Sequence, residues 1–307
     1  MSDTLESLGR KITGAGELES VVRTMKTMAA SNIAQYEMAV NSLGDYYRNV
    51  ALGIIAYFNQ EHVDIKTEKQ KKNKEIIIGA IVFGSDQGLV GQFNDVLSDF
   101  VIQSLNAMPG KKDIWAVGER VHLRLSEIGI ETSKLFAVPN SVNAVTPLVG
   151  QILINIQQSR EAGSMKEFYI YHNRPKSGAG YEQVMQRLLP LDEQWKHGLG
   201  ELHWLTKNLP QVVGGSKLTL AALIREYLFV SLFRSSAESL ASENASRLVA
   251  MQRAEKNINE LLDDLKQKFN RLRQSSIDEE LFDVISGFEA LKTNGIKLQI
   301  NTNTAND

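Results

Sequence analysis

The final third of the chain has a hydrophobic pattern that predicts one very long helix. Residues 216–286 contain neither glycine nor proline, the two residues that most disfavour a helix interior. Apolar residues recur there at alternating intervals of four and three, which is the heptad spacing of a left-handed coiled coil. The predicted seam consists of Ala237, Ala241, Asn244, Leu248, Met251, Glu255, Ile258, Leu262, Leu265, Phe269, Leu272 and Ser276.

The first 60 residues repeat this spacing and supply the partner helix. A helix is predicted over residues 4–59, although Gly9, Gly14 and Gly16 weaken its first turns. Complementary helices at the two ends of one chain pair most simply in antiparallel orientation. The predicted seam of this first helix consists of Leu18, Val22, Met25, Ala29, Asn32, Tyr36, Ala39, Leu43, Tyr46, Val50, Gly53 and Tyr57.

The middle of the chain alternates short apolar runs with helical periods. Residues 75–83 form an apolar run after a single glutamate, which predicts a strand buried on both faces, as in a parallel sheet. Strands that alternate with helices imply right-handed crossovers and a three-layer α/β domain. The other predicted strands are 113–117, 135–138 and 168–172 with an edge strand at 181–189, and the predicted helices are 95–105, 119–128 and 145–160.

Together these patterns predict an α/β protein. It combines a long antiparallel two-helix coiled coil, formed by the N- and C-terminal helices, with a central Rossmann-like three-layer α/β domain. The predicted segments are an N-terminal coiled-coil helix at 1–60, the α/β domain at 75–190, a connecting loop at 191–215, a C-terminal coiled-coil helix at 216–291 and a polar tail at 292–307.

Composition narrows the functional classes. A net charge of −2 over 307 residues is too balanced to indicate a nucleic-acid-binding protein. The lysine-rich segment 64–74 favours a solvated connector over a nucleic-acid or lipid patch, because it lacks aromatic residues and an amphipathic period. No apolar run approaches the ~20 residues of a membrane span, and the start lacks signal-peptide features, so we expect a cytosolic chain or one held at a membrane by partners. The absence of cysteine excludes disulfides and thiolate zinc sites.

Candidate chemical sites are weak. The glycine-rich turn at 84–94 matches neither G-x-G-x-x-G nor G-x-x-x-x-G-K-[ST], which favours a structural turn over a phosphate site. The five histidines show no H-x-x-x-H or H-E-x-x-H spacing, which disfavours a zinc site. The carboxylates at 263–264 and 278–280 are neighbours on a helix and point about 100° apart, so they form a poor acid/base pair. The sequence therefore predicts no catalytic residue, cofactor or metal.

Four stretches, in order along the chain, resemble a single family. Residues 239–254, SLASENASRLVAMQRA, closely resemble the signature of the F-type ATP synthase gamma subunit. Residues 25–31 (MKTMAAS) resemble its N-terminal helix motif, and residues 85–94 (SDQGLVGQFN) resemble its S-D-R-G-L-C-G-G-x-N loop. Residues 270–277 (NRLRQSSI) resemble the end of its C-terminal helix. The resemblance covers both ends of the chain and the domain between them.

This resemblance implies a central rotary shaft that couples ion-driven rotation of a membrane c-ring to ATP synthesis or hydrolysis. The implied partners are the alpha and beta subunits of the catalytic ring, the epsilon subunit and the c-subunit ring. The chain would thus lie at the cytoplasmic face of the membrane only through partners. It would have no cofactor and no catalysis of its own, because in this family nucleotide binds the ring subunits.

The resemblance also implies contact residues, each of which has an ordinary exposed helix residue as its alternative reading. Arg273 and Gln274 match family positions that contact loops of the beta and alpha subunits. Asp278 replaces a polar residue and places a charge where the beta loops would lie. Met25 and Lys26 match the region beside the acidic lever of beta, where a cation pairs with carboxylates.

Some positions depart from the family pattern. The loop has Gln87 for the arginine, Val90 for the cysteine and Gln92 for a glycine, which suggests a divergent branch such as the often sodium-linked ATPases. Two other classes stay open. A non-catalytic coiled-coil adaptor or scaffold would show the same heptads, and a nucleotide-dependent enzyme would use the α/β domain.

Overall fold

A computed structural model describes residues 4–61, 77–161, 165–176, 180–191, 195, 208 and 216–303. The predicted connector at 64–74 and most of the predicted loop at 191–215 lie outside these described residues. The helices are α1 (Leu5–Glu61), α2 (Phe93–Asn106), α3 (Glu119–Glu127), α4 (Val142–Glu161) and α5 (Ser216–Asn303). The strands are β1 (Ile77–Phe83), β2 (Lys111–Val117), β3 (Lys134–Phe136), β4 (Met165–Pro175) and β5 (Tyr181–Leu189).

The central sheet has the strand order β3-β2-β1-β4-β5. The first four strands are parallel, with Phe83 of β1 beside Val117 of β2 and Val82 of β1 beside Tyr171 of β4. Strand β5 pairs antiparallel with β4 at one edge. The fold prediction of long terminal helices around a central Rossmann-like α/β sheet is confirmed.

The two faces of the sheet bury alternate residues, as the two-residue period of a strand requires. One face carries Ile81, Phe83, Trp115, Val117, Phe168 and Ile170 and packs with α4 and with parts of α1 and α5. The opposite face carries Ile78, Ala80, Val82, Ile114, Ala116 and Tyr171 and packs with α2 and α3. The terminal helices therefore contribute to one of the outer layers of the α/β domain.

The chain divides into two compact units. Unit 1 is Met1–Thr24 with Gln252–Asp307, and unit 2 is Met25–Met251. In unit 2 the terminal helices are antiparallel: Asn32 Nδ2 donates to Asn244 Oδ1 at 3.4 Å, and Tyr46 Oη donates to Glu226 Oε2 at 2.9 Å. In unit 1, Arg23 Nε lies 3.6 Å from Glu255 Oε1 and joins the same two helices.

The predicted seam of α5 is confirmed, and the predicted seam of α1 is wrong at two of its twelve positions. All predicted seam residues of α5 are buried or half-buried. In the predicted seam of α1, however, Leu18 and Tyr46 are 60% and 44% exposed. Tyr47 instead contacts Tyr227 with ring centroids 5.6 Å apart and ring planes tilted by 42°, and Ile54 is buried. Because positions three and four residues along a helix face nearly the same way, the contact goes to whichever side chain reaches the facing helix.

This correction gives a direct test of the seam in unit 1. Leu8 is 2% exposed in the structure, so Leu8→Ala is expected to cost about 2 kcal/mol or more. Leu18→Ala removes the same atoms from a largely exposed site and should cost less than about 0.5 kcal/mol. Amide hydrogen exchange over residues 5–24 of each variant measures both costs. Equal protection loss in the two variants would contradict the observed seam.

Helix α1 has about the predicted length without a break, and α5 is longer than the sequence predicts. Helix α1 is continuous through Gly9, Gly14 and Gly16. Helix α5 continues to Asn303, so the prediction of a polar tail is wrong for residues 292–303, which are helical. Extending an existing helix needs no new nucleus, so a weak sequence can follow a strong one without a break.

Candidate functional site

Helix α5 occupies the place where a doubly wound sheet ordinarily binds its ligand. In such sheets the ligand site is the crevice beyond the carboxyl ends of the strands, where the strand order reverses. Here the reversal lies between β1 and β4. Ser239 Oγ donates to the Phe83 carbonyl at the end of β1 (2.9 Å), and Ser242 Oγ donates to the Asn173 carbonyl on β4 (3.0 Å).

A third serine extends this contact to the glycine-rich loop. Ser246 Oγ donates to the Val90 carbonyl at 2.5 Å. The three serines are spaced three and four residues apart, so they lie on one face of the helix. Their small side chains let the helix backbone lie close to the strand ends. We call Ser239, Ser242 and Ser246 the serine face.

Polar side chains of the loop at 84–94 make hydrogen bonds to other parts of the same chain. Asn94 accepts from the Ser85 amide at 3.1 Å and donates to Ser85 Oγ at 2.8 Å. Asp86 accepts from the amide of Glu119 at 2.9 Å and from the amide of Val138 at 2.8 Å. The loop therefore connects β1, α2, α3 and the end of β3, and these described donors and acceptors serve the fold.

A buried charged group joins α5 to β4 beside the serine face. Glu238 accepts from His172 Nε2 at 2.8 Å, from Arg174 Nε at 3.1 Å and from Arg234 Nε at 2.8 Å. The side chains of His172 and Glu238 are 0% and 4% exposed, while the two arginines are about 40% exposed. We call these four residues the Glu238 cluster.

The cluster holds its carboxylate ionised and its histidine neutral. Burial alone would raise the pKa of Glu238, but the hydrogen bonds and charges of His172 and Arg234 lower that pKa from 4.5 to about 2. Burial lowers the pKa of His172, although Glu238 partly opposes this shift. The other ring nitrogen, Nδ1, is buried and has no hydrogen-bond partner in the described residues, which also disfavours an imidazolium.

Acid is expected to destabilise unit 2 through this cluster. The unfolded chain protonates His172 below about 6.5 and Glu238 below about 4.5, whereas the folded chain resists both. The cluster therefore contributes its full stabilisation above pH 6.5, and this stabilisation is lost as the pH drops towards 2. Glu238 alone accounts for about 3 kcal/mol of the free energy of unfolding that is lost. Urea unfolding at several pH values measures this loss. Glu238→Gln is the control and should be less stable than the unmodified chain at pH 7. Its free energy of unfolding should fall less steeply between pH 4.5 and 3. If that slope were unchanged from the unmodified chain, the prediction would be contradicted.

A second buried ion pair lies one turn further along α5. Arg247 Nη2 contacts Glu243 Oε1 at 2.6 Å. Burial raises the pKa of Glu243, and Arg247 opposes that shift. Tyr36 of α1 faces this pair, and burial with the charge of Glu243 raises the pKa of its phenol. The facing surfaces of α1 and α5 are thus partly polar in this section.

The sequence-predicted contact residues occupy two places. Met25 and Lys26 are half-buried on α1 in unit 2, and Arg273, Gln274 and Asp278 are exposed on α5 in unit 1. Gln274 and Asp278 are one turn apart and share a face of the helix.

Arg273 of α5 lies level with the first residues of α1. Helix α1 begins at Leu5, as many residues before Arg23 as Arg273 lies after Glu255. Beyond that point α5 extends past the first residue of α1, and every residue of 277–289 is exposed. An apolar stripe follows this exposed stretch with helical spacing. The stripe consists of Ile277, Leu281, Val284, Ile285 and Phe288.

Sequence reasoning missed the serine face and the Glu238 cluster. A signal was present, because Ser235, Ser236, Ser239, Ser242 and Ser246 crowd one stretch of a helix that is otherwise rich in strong helix formers. Among the described residues no group of three or more histidines and carboxylates could hold a metal ion. None of the described helices has a segment both long and apolar enough to cross a bilayer.

Comparison with known proteins gives consistent matches. A family model described as ATP synthase matches residues 4–291. An ATP synthase gamma chain from Glaesserella parasuis is 27% identical over 92% of this chain and 97% of its own length. One from Clostridium botulinum is 24% identical over 93% of this chain and 98% of its own length.

Solved structures share the fold. A chain of the central stalk and c-ring of the Tetrahymena thermophila mitochondrial ATP synthase has a TM-score of 0.55 at 19% identity, over 76% of this chain and 99% of that one. A chain of the Euglena gracilis mitochondrial ATP synthase, from its OSCP/F1/c-ring structure, has a TM-score of 0.58 at 17% identity, over 94% of both chains.

Proposed function

Because the chain belongs to the ATP synthase family, whose model matches residues 4–291, we propose that it is the gamma subunit of such a complex. In this role it is the central shaft that couples ion-driven rotation of the c-ring to ATP synthesis or hydrolysis in the alpha/beta ring. Its partners are the alpha, beta and epsilon subunits and the c-ring. The observation that carries the proposal is that one continuous helix, α5, is bound to the sheet in unit 2 and extends past the start of α1 in unit 1.

The exposed part of α5 supports insertion into a ring. Five large apolar side chains on one helix face are costly in water. The inner surface of a ring of subunits would cover them from several sides at once. A single helix also presents different residues to each surrounding subunit, so it can favour a different conformation in each.

We propose that the shaft has no catalytic site of its own. The crevice in which a Rossmann-like sheet would bind nucleotide contains the serine face of α5. A ligand would have to displace a helix that is hydrogen-bonded to two strands. The chain would then be held at the cytoplasmic face of the membrane through the epsilon subunit and the c-ring.

We further propose the sequence-predicted contact residues as contacts with the ring. Arg273, Gln274 and Asp278 are exposed where the cover by α1 ends, so ring loops can reach them. Met25 and Lys26 are half-buried, which leaves part of each side chain open to a lever of the beta subunit.

Co-expression with the alpha and beta subunits of the same source tests the proposed function. We expect a stable complex that hydrolyses ATP and turns a probe attached to this chain. Recovery of the chain without alpha or beta would favour the adaptor alternative, and nucleotide binding by the isolated chain at micromolar concentration would favour the enzyme alternative.

A further inference from the structure

We propose that the Glu238 cluster fixes the angular position of α5 on the sheet. Torque on the α/β domain then reaches the helix without rotating it about its own axis relative to the sheet. Glu238 and His172 are then positioning residues for rotary coupling. The inference rests on the proposed function, since only a shaft must resist twisting between its parts. Glu238 and His172 are 66 residues apart in sequence and meet through a 2.8 Å hydrogen bond.

The other contacts of α5 resist rotation weakly. Hydrophobic burial is non-directional, so a helix that turns slightly keeps most of it. Most buried residues of α5 next to the cluster are small, including Ala237, Ala241, Ser239 and Ser242, and the larger Leu232 and Leu240 lie among them. Small side chains interdigitate less with the sheet than large ones would. The serine hydroxyls can follow a shifted carbonyl by rotating about a single side-chain bond.

The Glu238 carboxylate is held in a directional way. Two of its donors, His172 and Arg174, belong to β4, and the third, Arg234, belongs to α5 itself. An atom about 6 Å from a helix axis moves about 2 Å when the helix turns by about 20°, which is enough to break hydrogen bonds of this length. Such a turn would leave a buried carboxylate separated from both donors on the sheet, and a buried charge without its partners is strongly disfavoured.

A pair of His172 variants tests the inference in the complete membrane complex. His172→Gln retains a nitrogen donor for Glu238, whereas His172→Leu fills the space without one. We expect His172→Leu to lower ion pumping per ATP hydrolysed by about twofold or more and His172→Gln to leave it near the unmodified value. A residue that only fills the core would affect assembly or stability but not this ratio. Arg174→Leu, at a half-exposed position, removes another sheet donor and serves if His172→Leu does not assemble.

A reversible cross-link identifies the movement. A Cβ atom at Gly91 would lie 3.7 Å from Ser246 Oγ, and the chain has no native cysteine. Gly91→Cys carries the strain of φ +58°, about 1 kcal/mol, and together with Ser246→Cys it should form one disulfide between the loop and α5. In the His172→Leu background, oxidation should restore pumping per ATP to the unmodified value, and reduction should return it to the lowered value. The same cysteine pair with His172 intact is the control and should pump equally in both states.

The possible failures are distinguishable. Equal ratios in His172→Leu, His172→Gln and the unmodified complex would overturn the inference and leave the proposed function intact. So would a loss in His172→Leu that the disulfide does not restore. A chain that forms no complex with alpha and beta subunits, even unmodified, would overturn the proposed function itself.

Discussion

Gly118→Ala is expected to lower the free energy of unfolding of unit 2 by more than about 3 kcal/mol. Gly118 has φ +117°, which L side chains rarely adopt, and a Cβ there would lie 2.7 Å from the Ser85 carbonyl oxygen and 2.9 Å from its amide nitrogen. The obstacle is backbone, which cannot rotate away. Ser85 is itself fully buried and bonded to Asn94, so the glycine-rich loop would have to move.

Gly129→Ala is the matched control for this effect. Gly129 also has a positive φ, +82°, but nothing lies within 4 Å of an added Cβ. It should cost only the conformational strain, about 1 kcal/mol. Urea unfolding followed by tryptophan fluorescence measures both variants, since Trp115 is buried in the sheet. A loss in Gly118→Ala no larger than that in Gly129→Ala would show that the loop tolerates the displacement.

Arg273→Ala combined with Gln274→Ala is expected to lower ATP turnover or assembly of the complex by about 30-fold or more. This corresponds to the loss of one strong interface contact of about 2 kcal/mol. Both side chains are exposed, so the isolated chain should keep its stability. The measurement is ATPase activity and complex yield after reconstitution with the alpha and beta subunits.

The helix offers a matched control one heptad earlier. Lys266 and Gln267 are also exposed and repeat the order of a cation followed by glutamine on the same face of α5. They lie within the part of α5 that runs alongside α1. Lys266→Ala with Gln267→Ala should leave turnover within about twofold of the unmodified complex. If both pairs reduced turnover equally, the effect would belong to helix charge and not to a contact at Arg273 and Gln274.

Local patterns were enough to predict the elements of this fold. Strand β1 was evident because a strand buried on both faces must be apolar throughout. The pairing of the two ends followed from heptads in both. The error at Leu18 and Tyr46 arose because heptad spacing defines a stripe about two side chains wide, and the facing helix decides which of the two is covered.

The candidate site was much less predictable. Nothing near Glu238 in the sequence indicates that it meets His172 of β4, because that contact depends on the path of α5 across the sheet. The same holds for Asp86, whose two acceptor bonds join the start of α3 to the residues after β3. Contacts between distant segments carry no periodic signature, unlike the elements that they join.

The sequence by itself determined the elements and the family, because helical and strand periods and the stretch from Ser239 to Ala254 are local properties of the chain. Only the tertiary structure decided that α5 occupies the crevice between β1 and β4 and that a buried carboxylate attaches it there. The physical reason is that a serine or a glutamate gives the same sequence pattern whether its helix face is solvated or buried. Its hydrogen-bond partners are determined only when the helix packs on the sheet.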